Sequence, residues 1–139
     1  MSSSLPSDPI HLPYKRLFGS PAPVVMVSLF HNHARTETRA YVDSGAWYSV
    51  FDADVAARLN IVLQNRAHIW SHGLDGRRVP VYLHRVGLEL AGFHVSATVG
   101  FSDQMKMGFN LIGRHSIFNQ LQFCFNDRDG EITITRLDS

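Results

Sequence analysis

Only one cysteine, Cys124, occurs among the 139 residues. A lone thiol excludes an internal disulfide framework and any cysteine-based zinc cage within one chain. Long apolar runs are missing as well. Pro23-Val24-Val25-Met26-Val27 is one of the longest, whereas a bilayer span takes about 20 residues, so no membrane is expected as a partner. The opening Met1-Ser2-Ser3-Ser4-Leu5-Pro6 lacks the basic start and apolar stretch of a secretory leader, and the expected location is cytoplasmic. Charge of one sign is scarce too. Thirteen Lys and Arg face twelve Asp and Glu, for a net +1, so no basic field exists to hold nucleic acid. The eight histidines never adopt the His-Glu-x-x-His spacing of a zinc-protease helix, and neither a metal nor a cofactor is expected.

What is present suits a packed domain. The 45% apolar content against 18% charged gives enough material for a core. Residues 1–20 hold three of the six prolines and no periodicity, which predicts a loosely ordered N-terminal arm. No linker divides residues 21–139, so these are expected to form one domain. Val-rich and alternating stretches predict strands over Pro23–Phe30, Thr38–Val42, Trp47–Phe51, Ala67–Trp70 and Val79–Leu83, then over His94–Phe101, Phe109–Ile112 and two final runs around Phe123 and Ile132. Val79, Val81 and Leu83 alternate in the opposite phase to Val86, Leu88 and Leu90, which predicts a bulge or bend near His84-Arg85. Asp52 fits a helix N-cap, with Phe51, Val55, Ala56 and Leu59 on one face and Asn60 at the C-terminal end. Ser116–Gln120 fits one or two further helical turns. Eight or nine short strands with one or two short helices give an all-β, single-domain, closed or nearly closed barrel.

The sharpest local feature is Tyr41-Val42-Asp43-Ser44-Gly45-Ala46. An Asp ending an apolar strand is partly buried, and a buried carboxylate needs partners or it protonates. A hydroxyl follows at once, and a glycine admits another backbone closely. By itself Asp-Ser-Gly is a common turn.

Its surroundings carry more. Ala40 to Phe51 resembles the active-site segment of retropepsin-like aspartic proteases, in which two apolar residues precede Asp-Thr/Ser-Gly-Ala. Leu111-Ile112-Gly113 resembles the family's second landmark, two apolar residues and a glycine, and Gly113-Arg114 leads into an apolar turn and a strand as in the retroviral enzymes. Between them, Gly73-Leu74-Asp75-Gly76 joins two strand-like runs and resembles the flap hairpin. The family departs from this chain at three places. Retroviral members carry acidic residues where Trp47 and Tyr48 stand. The flap here is poorer in glycine, with His72 and Asp75 near its tip. The hairpin from Phe123 to Leu137 outruns the short viral ending and is positioned to reshape the terminal strands that join viral subunits.

The resemblance implies a mechanism that needs two carboxylates about 3 Å apart sharing one proton. One acts as base on water; the other, protonated, polarises the scissile carbonyl. No second Asp in this chain follows an apolar strand and precedes Ser/Thr-Gly, so the partner is expected to be Asp43 of a second copy in a two-fold homodimer. The implied roles are Asp43 as the catalytic carboxylate, Ser44 hydrogen-bonding across the axis, and Gly45 presenting its N–H to the neighbouring carboxylate. Ala46 is small enough to let a peptide or protein substrate lie close. Gly73 and Leu74 of the flap, with Val50, Phe109 and Leu111, supply apolar subsites, and Trp47 joins them. A shared proton predicts activity favoured by mildly acidic pH.

Other features read more plainly. His31-Asn32-His33 fits a solvated turn, Cys124 a strand position without a base beside it, and His72 an exposed loop residue. Trp47 and Trp70 suit either a cleft or packing. Asp127-x-Asp129-Gly130 lacks the downstream acidic ligand of a calcium loop. One alternative to a peptidase stays open, a catalytically weak or inactive dimerisation or peptide-binding module on the same fold; a further reading is a zymogen-like state in which residues 1–20 cover the cleft.

Overall fold

The computed structural model describes residues 8–63, 67–72, 76–103 and 108–138. The chain starts with β1 (Ile10–Pro13), β2 (Lys15–Leu17) and β3 (Ser20–Ala22), then β4 (Val24–His31), β5 (Ala34–Val42) and β6 (Val50–Asp52). A single helix among the described residues, α1 (Ala53–Arg58), precedes β7 (His68–His72), β8 (Arg78–Leu90) and β9 (Phe93–Ser102). β10 (Asn110–Ile112), β11 (Leu121–Asn126) and β12 (Glu131–Arg136) complete the order.

Alternation sets the sheet. Val25, Val27 and Leu29 of β4 point to one side and are buried, as are Val86, Leu88 and Leu90 of β8 and Val95, Ala97 and Val99 of β9. Each of these Val and Leu side chains contributes about 1.5–3 kcal/mol on leaving water. The strands run β4-β5-β10-β6-β9-β8-β7, and β4 also pairs with β8 from Val27↔Leu90 to Phe30↔Gly87. That second pairing closes six strands into a barrel and leaves β7 outside it on the edge of β8.

Helix α1 forms where capping and pattern agree. The Asp52 carboxylate accepts from Asp54 N at 3.3 Å, Val55, Ala56 and Leu59 are buried, and Asn60 turns the chain out at φ 60°. The one or two helical turns expected over Ser116–Gln120 are present as short turns that do not extend into a helix, with Phe118 N donating to Arg114 O and Leu121 N to Ile117 O.

Two expectations are corrected. No bulge interrupts β8 at His84-Arg85: its pairing with β9 is unbroken from Tyr82↔Phe101 to Leu90↔Phe93. The phase of burial changes because β8 exchanges its other neighbour, β7 over His68↔Tyr82 to His72↔Arg78, for β4. One half of the strand belongs to a projecting hairpin and the other to the barrel wall. The part of the N-terminal arm that is described is not loosely ordered. β1 pairs with β12 from Ile10↔Ile134 to Pro13↔Glu131, giving a sheet β1-β12-β11 whose Leu121, Ile132 and Ile134 join the core. Tyr14 fastens this piece: its N–H donates to Gly130 O at 2.7 Å and its hydroxyl to Asp127 Oδ1 at 2.7 Å. No helix among the described residues is long and apolar enough to cross a membrane.

Candidate active site

β10 lies between β5 and β6, parallel to the first (Leu111↔Tyr41, Ile112↔Val42) and antiparallel to the second (Leu111↔Val50). One more rung, Asp43 N to Ile112 O at 2.9 Å, carries the ladder past the end of β5. Asp43 therefore keeps the strand's alternation and shares a face with Tyr41, while Val42 turns into the core. The chain then folds tightly. Ala46 N donates to Asp43 O at 3.1 Å, and Gly45 N donates to Asp43 Oδ1 at 2.8 Å. A side-chain oxygen that accepts from the backbone two residues on is the Asx-type turn that Asp favours, and here it fixes the carboxylate's direction.

Gly113 holds the loop from below. A Cβ there would sit 2.4 Å from Tyr48 O and 2.9 Å from Ala46 O, so only glycine fits against this backbone. Gly113 N donates to Ser49 Oγ at 2.9 Å, with Ser49 fully buried. Arg114 N and His115 N reach Ala46 O and Trp47 O at 2.9 and 2.6 Å. Asn110 staples the other end of β10. Its amide nitrogen donates to Thr38 Oγ1 and Arg39 O, both at 3.0 Å, and its oxygen accepts from Asp52 N at 2.9 Å.

The candidate residues divide as follows. Asp43 and Ala46 are half-buried, while Ser44 and Gly45 are exposed. Val50 and Leu111 oppose each other in the ladder, and Leu111 opposes Tyr41, so the three form one row across three strands beside Asp43. The Phe109 ring lies 5.7 Å from that of Tyr41. Trp47 is 58% exposed and bends away from the strand expected to include it, with its ring 5.5 Å from His115. Gly73 and Leu74 lie outside the described residues; the arms of their hairpin, β7 and β8, are paired up to His72↔Arg78.

Three participants were not singled out from the sequence. Tyr41 was legible from alternation, two places before Asp43. His115, which also stacks 5.1 Å from Tyr48, and the Asn110 staple had no local signal, because both depend on strands distant in sequence.

Chemically, Asp43 offers one oriented carboxylate over an apolar row. Four other carboxylates have partners of their own: Asp52 caps α1, Asp54 pairs with Arg58 at 3.2 Å, Asp127 holds Tyr14, and Asp129 accepts from Asn126 at 3.1 Å. Among the described residues no group of three or more His, Cys, Asp or Glu is arranged to hold a metal ion. A base without its companion acid is half of an acid–base pair.

A closed six-stranded barrel with β10 threaded between β5 and β6 has the retropepsin-like all-β fold. Among solved structures the chain is similar to EIAV protease complexed with the inhibitor HBY-793, with a TM-score of 0.56 and 19% identity over 76% of this chain and 92% of that one. No protein-family model and no curated protein matches the sequence.

Proposed function

We propose that the protein is a homodimeric aspartic endopeptidase, in which Asp43 of two copies meets at a two-fold axis. The observation that carries this reading is the orientation of the Asp43 carboxylate by Gly45 N on a loop locked by Gly113. A half-exposed carboxylate fixed this way, one half of an acid–base pair, suits a site completed by symmetry. At the axis the two carboxylates share one proton. The ionised partner takes a proton from water as the water attacks the scissile carbonyl, and the protonated partner gives its proton to the carbonyl oxygen; the first then passes the proton it took to the leaving amine, and the second takes one back from the intermediate's hydroxyl as the carbonyl re-forms. Ser44, exposed beside the axis, bonds to the facing loop. Tyr41, Val50 and Leu111 form the apolar floor, Ala46 leaves room for the substrate backbone, and the β7–β8 hairpin with Gly73 and Leu74 closes over it. Trp47 and Tyr48 replace the acidic residues of retroviral enzymes, so this end of the cleft grips substrate by stacking and apolar contact.

The test compares wild type with Asp43→Asn on a mixed peptide library from mildly acidic to neutral pH. Cleavage by wild type alone, declining as pH rises, is expected. Equal cleavage by both proteins, or a rate rising steadily into alkaline pH, contradicts the proposal. The binding-module alternative predicts peptide binding without turnover by either protein.

A further inference from the structure

The β2–β3 hairpin has a tip that its own turn chemistry does not explain. Leu17 pairs with Ser20, leaving Phe18-Gly19 as a two-residue loop with φ of 51° and 82°. Two positive φ values mark the hairpin turn that strongly prefers Asn-Gly, Asp-Gly or Gly-Gly. Phenylalanine in the left-handed region costs of order 1 kcal/mol and persists where its surroundings use it. The ring gains little shelter in return, being 77% exposed. It nevertheless stands edge-on to Phe109, with centroids 5.7 Å apart, and Phe109 in turn lies 5.7 Å from Tyr41.

These rings wall a groove of about 500 Å³ that also includes Met26, Arg39 and Asn110, a size typical of ligand clefts. The groove meets the candidate site at Tyr41, which lines it. Tyr41 is on the Asp43 face, two residues back along β5. Phe109 precedes Asn110, which pairs with Ala40, so Phe109, with the Phe18 ring edge-on to it, stands level with Arg39. That is four residues from Asp43, or roughly 13 Å along the strand. An extended substrate presents same-side residues about 7 Å apart. The side chain beside the cut then lies at the Tyr41–Leu111 level, and the one two residues farther out reaches Phe18–Phe109.

We infer that Phe18 is a specificity-determining residue, the outer wall of a subsite that selects a large apolar, preferably aromatic, side chain two positions from the residue at the scissile bond. This rests on the peptidase reading of the Asp43 site. A symmetric dimer presents the wall twice, once on each side of the cut. The N-terminal hairpin is thereby part of the cleft, and the strain at Phe18 is retained because the ring serves the substrate.

The test uses two non-cleavable reduced-amide octapeptides, with Phe or Ala at that position, and measures Kd by calorimetry for wild type, Phe18→Asn and Phe18→Trp. Wild type is expected to favour the Phe peptide by at least about tenfold, the range of one well-fitted apolar side chain. Asn suits the turn better than Phe, so Phe18→Asn should keep or raise Tm while its preference falls to within about threefold, a loss in the range of one aromatic pair. Phe18→Trp should retain the preference. An unchanged preference in Phe18→Asn, or tighter binding of both peptides once the ring is gone, overturns the inference and leaves the peptidase reading standing. If wild type binds neither peptide and cuts none of the library, both fall together.

Discussion

Replacing Gly113 by alanine tests the loop lock directly. Gly113 shows no positive φ, so alanine suits the backbone, and the change alone would stabilise by about 0.4–1 kcal/mol through the unfolded chain. Sterically the added methyl lands 2.4 Å from Tyr48 O and 2.5 Å from Tyr48 C. Both are backbone atoms, and no rotamer can clear them. Restoring ordinary contact requires a shift of about 1 Å between β10 and the Ala46–Tyr48 segment, and overpacking of this kind costs roughly 1–3 kcal/mol. The same shift strains the bonds from Arg114 N to Ala46 O and His115 N to Trp47 O, each worth about 1 kcal/mol net. The expected loss is about 3 kcal/mol, or about 10 °C in Tm for a chain of this size. Urea unfolding followed by Trp fluorescence measures it. Because the displaced segment also carries the Asp43 turn, any peptidase activity should fall about a hundredfold, the usual consequence of a 1 Å misplacement. A Gly113→Ala protein within 1 kcal/mol of wild type would refute the reasoning.

Ser49→Ala removes the buried acceptor of Gly113 N and should cost about 1–2 kcal/mol at unchanged m-value in urea; a neutral result would show that the N–H finds another partner. Tyr14 has its pKa raised to about 12, by burial first and then by its hydrogen bond to the Asp127 carboxylate. The fold thus favours the protonated phenol. Its stabilisation is complete below pH 10 and is lost as pH rises toward 12, by about 1 kcal/mol after allowance for solvent screening. Asp127→Asn should move the tyrosinate transition of this residue toward lower pH in an ultraviolet difference titration, and an unmoved transition would dissociate Tyr14 from Asp127.

The parts of the fold legible from sequence were those set by short-range pattern. Asp52 and the Phe51-Val55-Ala56-Leu59 stripe declare α1 within a few residues, and Asp43-Ser44-Gly45 with Leu111-Ile112-Gly113 declare the two segments that the parallel β5–β10 pairing brings side by side. Long-range partners were not legible. Ile10–Pro13 has little strand character of its own and becomes a strand because β12, more than a hundred residues away, offers an edge. The proline-rich surroundings of that segment suggested looseness, whereas Tyr14 pins it through Gly130 and Asp127. At His84-Arg85 the sequence shows the change of phase, but its cause is an exchange of neighbours rather than an extra residue. Tyr41 heads the motif but draws no role from it, because the row of side chains beside Asp43 is set by strand alternation and by the register of β10.

The central proposal is that neither copy works alone, and subunit mixing tests it most directly. Wild type and Asp43→Asn are combined at fixed total concentration, allowed to exchange, and assayed for peptide cleavage. If both Asp43 carboxylates belong to one site, activity follows the square of the wild-type fraction, so an equal mixture retains about one quarter of the wild-type rate. Retention of one half, falling in proportion to the wild-type fraction, would show that each chain acts by itself.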